Sequence, residues 1–303
     1  MQGKHFLLIK STGNGFWYDM HHVLTQLYLA EITERIPVVY WGKNCMYSID
    51  ENSDAFQQFF EPVSEYGIED LIHEDFTYFP EVWNRDNLLK NLLYPSRYVS
   101  FEDIIYNEAN VIVQNSFIET EEMMYWIEKH PMYGYLSRYL YSSMLKKYIR
   151  LQPLVSDEIG EFQDAYMINK FIIAVHIRGS DKIVEVDHLF DLNKRYPAEI
   201  DKVLKVQPEA KIFLMTDCRD ILEQYNQMYP NKIICTECNR VLQNGPGSHF
   251  QEYEDKARKG LEIIKDTWLA ARCDYFIGNG FSNVSLAISE LKDWDKNAIK
   301  LLY

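Results

Sequence analysis

The sequence predicts an α/β fold of parallel sheets arranged as two halves with a cleft between them. Three observations carry this reading. Near the start, strand Phe6–Ile9, the turn Ser11-Thr12-Gly13-Asn14-Gly15, a helix and strand Val38–Trp41 follow one another. This order makes a βαβ unit, because parallel strands need a crossover connection. From Phe171 onward, apolar runs alternate with amphipathic helices. Three of those runs end in small polar turns: Phe171–Val175 leads into His176-Ile177-Arg178-Gly179-Ser180-Asp181-Lys182, Lys211–Met215 into Thr216-Asp217, and Tyr275–Ile277 into Gly278-Asn279-Gly280-Phe281-Ser282-Asn283. In an open parallel sheet, ligands bind beyond the carboxyl ends of the strands. Three such ends carrying Arg, Asp and a Gly/Ser/Asn turn mark one composite site, and their chemistry points to a nucleotide diphosphate.

The first helix is expected from Met20, Val23, Leu24 and Leu27 at helical spacing. Residues 52–164 read as mostly helical and Tyr-rich, with few glycines. The later elements are expected as strand 171–177, a helix led by Pro197, strand 211–216, helix 219–228, strand 232–235, helix 256–272, strand 275–277 and helix 283–292. Pro is tolerated at a helix start because its missing N–H would be unpaired there. Residues 239–253, rich in Gly, Gln and Asn, read as a loop. A boundary near Gln163 divides residues 1–163, an α/β half with a helical insertion, from residues 164–303.

Length and composition bound the function. The 303 residues suffice for two cores, and 47% hydrophobic with 25% charged residues is a globular balance. A formal net charge of −14 argues against a general nucleic-acid binder, which needs a basic surface. No secretory leader precedes the first strand and no apolar run is long enough to span a bilayer, so a cytoplasmic protein is expected, at most peripheral to a membrane. Five scattered cysteines fit a reducing compartment. Cys235-Thr236-Glu237-Cys238 has the spacing of a metal knuckle, but no second pair completes a tetrahedral set, and no metal or cofactor is expected.

Three clusters carry the chemistry. Alternation along the strand puts His176 and Arg178 on one face. The planar fork of Arg178 suits a pyrophosphate and can neutralise charge on a leaving diphosphate. Gly179 permits close backbone approach and Asp181 can hold Arg178 or Lys182; the plain alternative is a structural Arg178–Asp181 ion pair. The turn Gly278–Asn283 opens a helix, whose N-terminal amides favour an anion, or else it is an ordinary capped start. Gly13-Asn14-Gly15-Phe16 lacks both the Lys-Ser/Thr of a P-loop and the third glycine of the dinucleotide fingerprint, which disfavours an NTPase or a dehydrogenase. His21 and His22, adjacent on a helix, face about 100° apart, so at least one is structural.

Taken together, these blocks resemble the GDP-fucose-dependent fucosyltransferases, specifically the α-1,6-fucosyltransferase group (nodulation fucosyltransferases among them) and the related protein O-fucosyltransferases. Gly13-Asn-Gly15-Phe-Trp-Tyr-Asp-Met-His21-His22-Val23 is similar to the family's N-terminal glycine turn and His-His helix. His176-Ile-Arg178-Gly-Ser-Asp181-Lys182 is similar to its His-x-Arg-Arg-Thr-Asp-Lys signature, and Thr216-Asp217 to its Thr-Asp. Asp266 and then Phe281-Ser282-Asn283-Val284 are similar to its closing block. The second Arg of the signature is Gly179 here.

The resemblance implies a GT-B-like fold with two facing Rossmann-like domains. It implies a metal-independent glycosyltransferase, with fucose passing from a GDP-fucose donor to a glycan or glycolipid acceptor. His176 and Asp266 would touch the guanine or its ribose, Arg178 the β-phosphate, and Ser282 and Asn283 further phosphate oxygens. Asp217 would support the site, while Gly13, Asn14, Gly15 and His21 would close on the diphosphate from the N-terminal half. The acceptor's proton needs a carboxylate or His. Glu185 is the nearest candidate, with Asp187 and His188 as rivals and a solvated loop as the plain alternative. Direct displacement predicts inversion at the anomeric carbon. Polysaccharide biosynthesis in a microbial cytoplasm is the expected setting. The competing expectations are a non-catalytic nucleotide-sugar-binding protein of the same fold, a transferase using another nucleotide sugar, and a metal-dependent transferase.

Overall fold

The computed structural model describes residues 3–43, 45–50, 53–90, 99–124, 130–134, 136–179, 189–242 and 255–303. The chain divides into two compact units, Met1–Gln152 with Asp255–Ala257, and Pro153–Glu254 with Arg258–Tyr303. Gln163 falls inside a helix, Pro153–Tyr166; the expected Pro-led helix is Tyr196–Val206, with Pro197 in its first turn.

The first unit is built on a four-stranded parallel sheet in the order β2-β1-β4-β3. Strand β1 (Phe6–Lys10) is buried at every position, the signature of a parallel strand covered on both faces. Helix α1 (Phe16–Ile32) crosses over to β2 (Ile36–Tyr40). Fourteen of its residues are buried, including the polar Asp19, His21, His22, Thr25 and Gln26. Among the described residues, 52–164 are less helical than their composition predicts. Besides helices α2 (Ala55–Phe59), α3 (Phe101–Ile105), α4 (Thr120–Met124), α5 (Ser137–Tyr148) and α6 (Pro153–Tyr166), they contain β3 (Tyr78–Phe79) and β4 (Val111–Gln114). Val-Ile-Val-Gln is a short, fully buried run between asparagines, and it extends too briefly to show a period. What makes it a strand is its pairing with β1, Phe6 opposite Val111 through Ile9 opposite Gln114.

The second unit holds a five-stranded parallel sheet in the order β7-β6-β5-β8-β9. Strand β5 (Ile172–Ile177) lies at its centre, between β6 (Lys211–Thr216) and β8 (Tyr275–Asn279). Its apolar run is buried throughout, as a central parallel strand requires. Helices α7 (Leu189–Asn193) and α8 (Tyr196–Val206) lead to β6, and α9 (Arg219–Met228) to β7 (Ile233–Ile234). Helix α10 (Lys256–Ala271) then leads to β8, and α11 (Asn283–Leu291) to β9 (Ile299–Leu302). Strand β9 is not anticipated from the sequence; it is a four-residue edge strand defined by pairing with β8. The loop predicted over 239–253 is not wholly irregular, since Val241 bridges to Cys218 beyond the end of β6. One core cluster joins Ile173, Val175, Ile177, Ile212 and Leu214 of the sheet to Tyr196, Ile200 and Ile221 of the helices.

Ile173 is fully buried at the middle of that core, whereas Leu154 is largely exposed. Ile173→Ala is expected to cost about 2–5 kcal/mol and Leu154→Ala less than about 0.5 kcal/mol, read as the difference in urea midpoints.

Candidate functional site

The strand order of the second unit selects the place where a ligand fits. The chain runs outward from β5 through β6 to β7 and then returns to β8 on the opposite side of β5. Connections therefore diverge between β5 and β8, and their carboxyl ends flank the topological switch point, where open parallel sheets bind ligands. On one side stand His176, Ile177, Arg178 and Gly179; on the other stands the turn from Gly278 to Ser282.

Arg178 is held from the neighbouring strand. Its Nη1 lies 2.6 Å from Oδ2 of Asp217, which follows β6 directly. The other carboxylate oxygen of Asp217 accepts the Gly179 backbone N–H at 2.8 Å. Asn193 Nδ2 donates to the Arg178 carbonyl at 2.9 Å. Asp217 thus orients the guanidinium and the following turn together, through short charge-assisted bonds. Gly179 could not be replaced cheaply: a Cβ there would fall on Ile221 Cδ1 and lie 2.7 Å from Cys218 Cβ. The space that a second arginine would need is filled by the start of α9.

His176 is buried and its ring Nδ1 lies 2.7 Å from Ser285 Oγ. Burial lowers its pKa to about 4, with Asp217 opposing and Arg178 reinforcing the shift, so the ring is neutral at pH 7. Tyr196 donates its hydroxyl to the His176 carbonyl at 2.8 Å, and Asn279 Nδ2 reaches the Tyr196 hydroxyl at 3.3 Å. The Asn279 N–H donates to Ser285 Oγ at 3.2 Å, and its side-chain carbonyl accepts the Phe281 N–H at 3.1 Å. The glycines of this turn answer to close neighbours. A Cβ on Gly278 would lie 2.6 Å from Ser285 Oγ, and one on Gly280 would fall on the Tyr303 ring. Ser282 is the N-cap of α11 but makes no side-chain capping bond, and Asn283, the first helical residue, is exposed. The end of α11 that favours an anion therefore lies beside β5's own turn.

Asp266, on α10, accepts a hydrogen bond from the buried Thr236 hydroxyl. Arg240 lies in the same cluster and donates to the Thr236 and Cys238 carbonyls at 3.1 and 3.3 Å. Burial raises the Asp266 pKa to about 6, against the lowering influence of Thr236 and Arg240. Cys235 and Cys238 are free thiols, and burial raises the pKa of each. Among the described residues, no three His, Cys, Asp or Glu side chains gather as a metal site.

The glycine turn of the first unit is organised by Asp19, which sequence reasoning passes over. Its carboxylate accepts the Ser11 and Thr12 hydroxyls and the Thr12 N–H, the last at 3.0 Å. Gly13 adopts φ +81°, a conformation that favours glycine. Asn14 is exposed and donates to Thr12 Oγ1 at 2.8 Å. Gly15 is the N-cap of α1, and the next residue's N–H donates to the Tyr47 hydroxyl at 2.7 Å. His21 is buried and stacks on Tyr141 at 4.9 Å between ring centroids. His22 is fully buried, and burial lowers its pKa to about 4. One spacing could have revealed Asp19: it lies one helical turn into α1, facing a Ser-Thr pair eight and seven residues earlier.

The structure brings His176, Arg178, Asp217, Ser282 and Asn283 to the carboxyl edge of one sheet. Asp266 lies beside the segment that leaves β7. Gly13, Asn14, Gly15 and His21 belong to the other unit. Asp181, Glu185, Asp187 and His188 lie outside the described residues.

Two Rossmann-like parallel units, the second presenting an arginine and a helix N-terminus at its switch point, define a protein of the GT-B fold. Solved structures share this fold along the whole chain. The NodZ α-1,6-fucosyltransferase soaked with GDP-fucose is 19% identical, with a TM-score of 0.65 over 99% of this chain and 98% of that one. POFUT1 in complex with GDP-fucose is 13% identical, with a TM-score of 0.59 over 100% and 98%. An Arabidopsis thaliana FUT1 mutant in complex with GDP is 11% identical, with a TM-score of 0.61 over 100% and 71%. No family model and no curated protein sequence matches the chain. The motif resemblance to GDP-fucose-dependent fucosyltransferases thus extends to the fold.

Two outcomes test this geometry. Gly179→Arg is expected to lose about 1–3 kcal/mol of stability through overpacking against Ile221 and Cys218, measured by urea unfolding. Asp266 holds its proton up to about pH 6, while an unfolded Asp releases it near pH 4. Between those values the native state binds more protons, so this group's contribution to stability falls as pH rises. Asp266→Asn is therefore expected to gain stability relative to wild type between pH 4 and pH 7. The gain is on the order of 1–2 kcal/mol after allowance for solvent at this partly exposed side chain, and a constant offset across that range would contradict the assignment.

Proposed function

We propose that the chain is an inverting, metal-independent glycosyltransferase that moves fucose from GDP-fucose to a hydroxyl of a glycan or glycolipid acceptor. The observation that carries the reading is the Asp217-held Arg178 at the switch point, in a fold shared with proteins solved with GDP and GDP-fucose. In this reading the second unit holds the nucleotide. Arg178 and the amides at the start of α11 take the diphosphate, and His176 and Asp266 take the nucleoside. The first unit, which carries Gly13, Asn14, Gly15 and His21, provides the acceptor side.

The reaction follows from those placements. The acceptor oxygen attacks the anomeric carbon, the bond to the phosphate oxygen breaks, and its electron pair leaves with GDP. Arg178 and the helix amides stabilise the negative charge growing on that diphosphate. The acceptor's proton goes to a carboxylate, for which we assign Glu185. We place the reaction in the cytoplasm, on a precursor of polysaccharide biosynthesis; among the described residues no helix is long and apolar enough to cross a membrane.

Gly179 favours a second reading. A site with one arginine at this turn can bind a nucleotide sugar without turning it over, or take a different donor. Calorimetric titration with GDP, UDP and CMP in EDTA, on wild type and Arg178→Ala, separates these readings. Metal-free GDP binding is expected, with a loss of about tenfold or more in the variant, the size of a charged hydrogen bond. A preference for UDP or CMP, or equal affinity in Arg178→Ala, would overturn the donor assignment. Binding without turnover of GDP-fucose would leave the non-catalytic reading, and retained anomeric configuration in a product would exclude direct displacement.

A further inference from the structure

We infer that Ser285 locks His176 in the tautomer protonated at Nε2, so that His176 presents an N–H donor to an acceptor atom of the bound nucleotide. The specific use of that donor rests on the nucleotide-binding reading above, whereas the tautomer itself rests only on hydrogen-bond accounting. Ser285 is fully buried on the first turn of α11. Among the described residues its hydroxyl has two partners, the Asn279 backbone N–H at 3.2 Å and His176 Nδ1 at 2.7 Å. The amide can only donate, so it occupies a lone pair of Oγ. The hydroxyl hydrogen is left with a single acceptor, His176 Nδ1. A ring nitrogen that accepts carries no hydrogen, and in a neutral imidazole the proton then sits on the other nitrogen. Neutrality is supplied by burial, reinforced by Arg178 two residues on.

The position of Ser285 is built from several sides. Gly278 leaves the room that Ser285 occupies, since a Cβ there would come within 2.6 Å of its Oγ. Tyr196 and Asn279 hold the backbone of His176 and of the turn relative to each other. Among the described residues Nδ1 is the one ring nitrogen of His176 with a hydrogen-bond partner. Nε2 is therefore the atom left for a ligand, and the chemistry it can recognise is an oxygen or an unprotonated ring nitrogen. Ser285 acts as a positioning residue. It fixes the polarity of a neighbour's contact and touches no substrate itself.

The test joins spectroscopy to binding. Long-range 15N–1H correlation spectra at pH 7 report the tautomer of each histidine, with His176→Gln identifying the His176 signals. Wild type is expected to show His176 neutral and protonated at Nε2, and Ser285→Ala to show a mixture of tautomers. GDP affinity, by calorimetry, is expected to fall in Ser285→Ala by the inverse of the remaining Nε2-protonated share, about twofold for an equal mixture. In the His176→Gln background, where an amide donor has no tautomers, the same substitution is expected to leave affinity unchanged. A proton on Nδ1 in wild type overturns the inference, as does an unchanged tautomer in Ser285→Ala. Equal losses in both backgrounds would make Ser285 merely structural. If wild type does not bind GDP, the proposed function fails while the spectra still decide the tautomer.

Discussion

A single carboxylate ties the second unit's site together. Asp217 leaves β6 and receives two donors from the turn of β5, the Arg178 guanidinium and the Gly179 N–H. Parallel neighbours in register bring those two strand ends level, so the brace follows from the sheet itself: Ile177 lies opposite Thr216. A partly buried ion pair of this kind is costly to break from one side, because it strands the partner charge in a poorly solvated place. It does little for net stability compared with the apolar core beneath it. Its consequence is directional, since a guanidinium that would otherwise sample many rotamers is aimed before any ligand arrives.

The legible part of the sequence was the part governed by long elements and strand ends. The runs of β1, β5, β6 and β8 are apolar enough to need burial on both faces, and the turns after β5, β6 and β8 carry small and polar residues that stand out from those runs. The unread elements share a different physics. Strands β3, β4 and β9 have two to four residues each and acquire their identity from a partner strand. Val241 likewise pairs inside a stretch whose composition reads as a loop. Nothing local distinguishes such segments from other short apolar runs.

The site was legible to a similar depth. Arg178, His176 and Asp217 stand out because they follow strands. Arg178 pairs with Asp217, while Asp181, its expected partner, lies outside the described residues. Residues that serve these groups at long range left no comparable trace. Ser285 is one of many serines near a helix start, Asn193 ends a five-residue helix, and Thr236 hides between two cysteines that draw attention to themselves. Asp19 is similar: its role in gathering Ser11 and Thr12 around the first glycine turn depends on a helix folding back over its own entry.

The packing around Gly179 also bears on how sequences of this fold can change. Its missing side chain is matched by Ile221 and Cys218, which fill the volume from the beginning of the next helix. Positions 179, 218 and 221 therefore form a coupled set. A longer residue at 179 is tolerated only after smaller ones appear at the other two, and shrinking those first opens a cavity in a core that reaches to Ile221. Either order passes through a destabilised intermediate. A one-step change to a long side chain at 179 is thereby disfavoured, and chains that carry Gly here should carry bulk at 221 as its mutational partner.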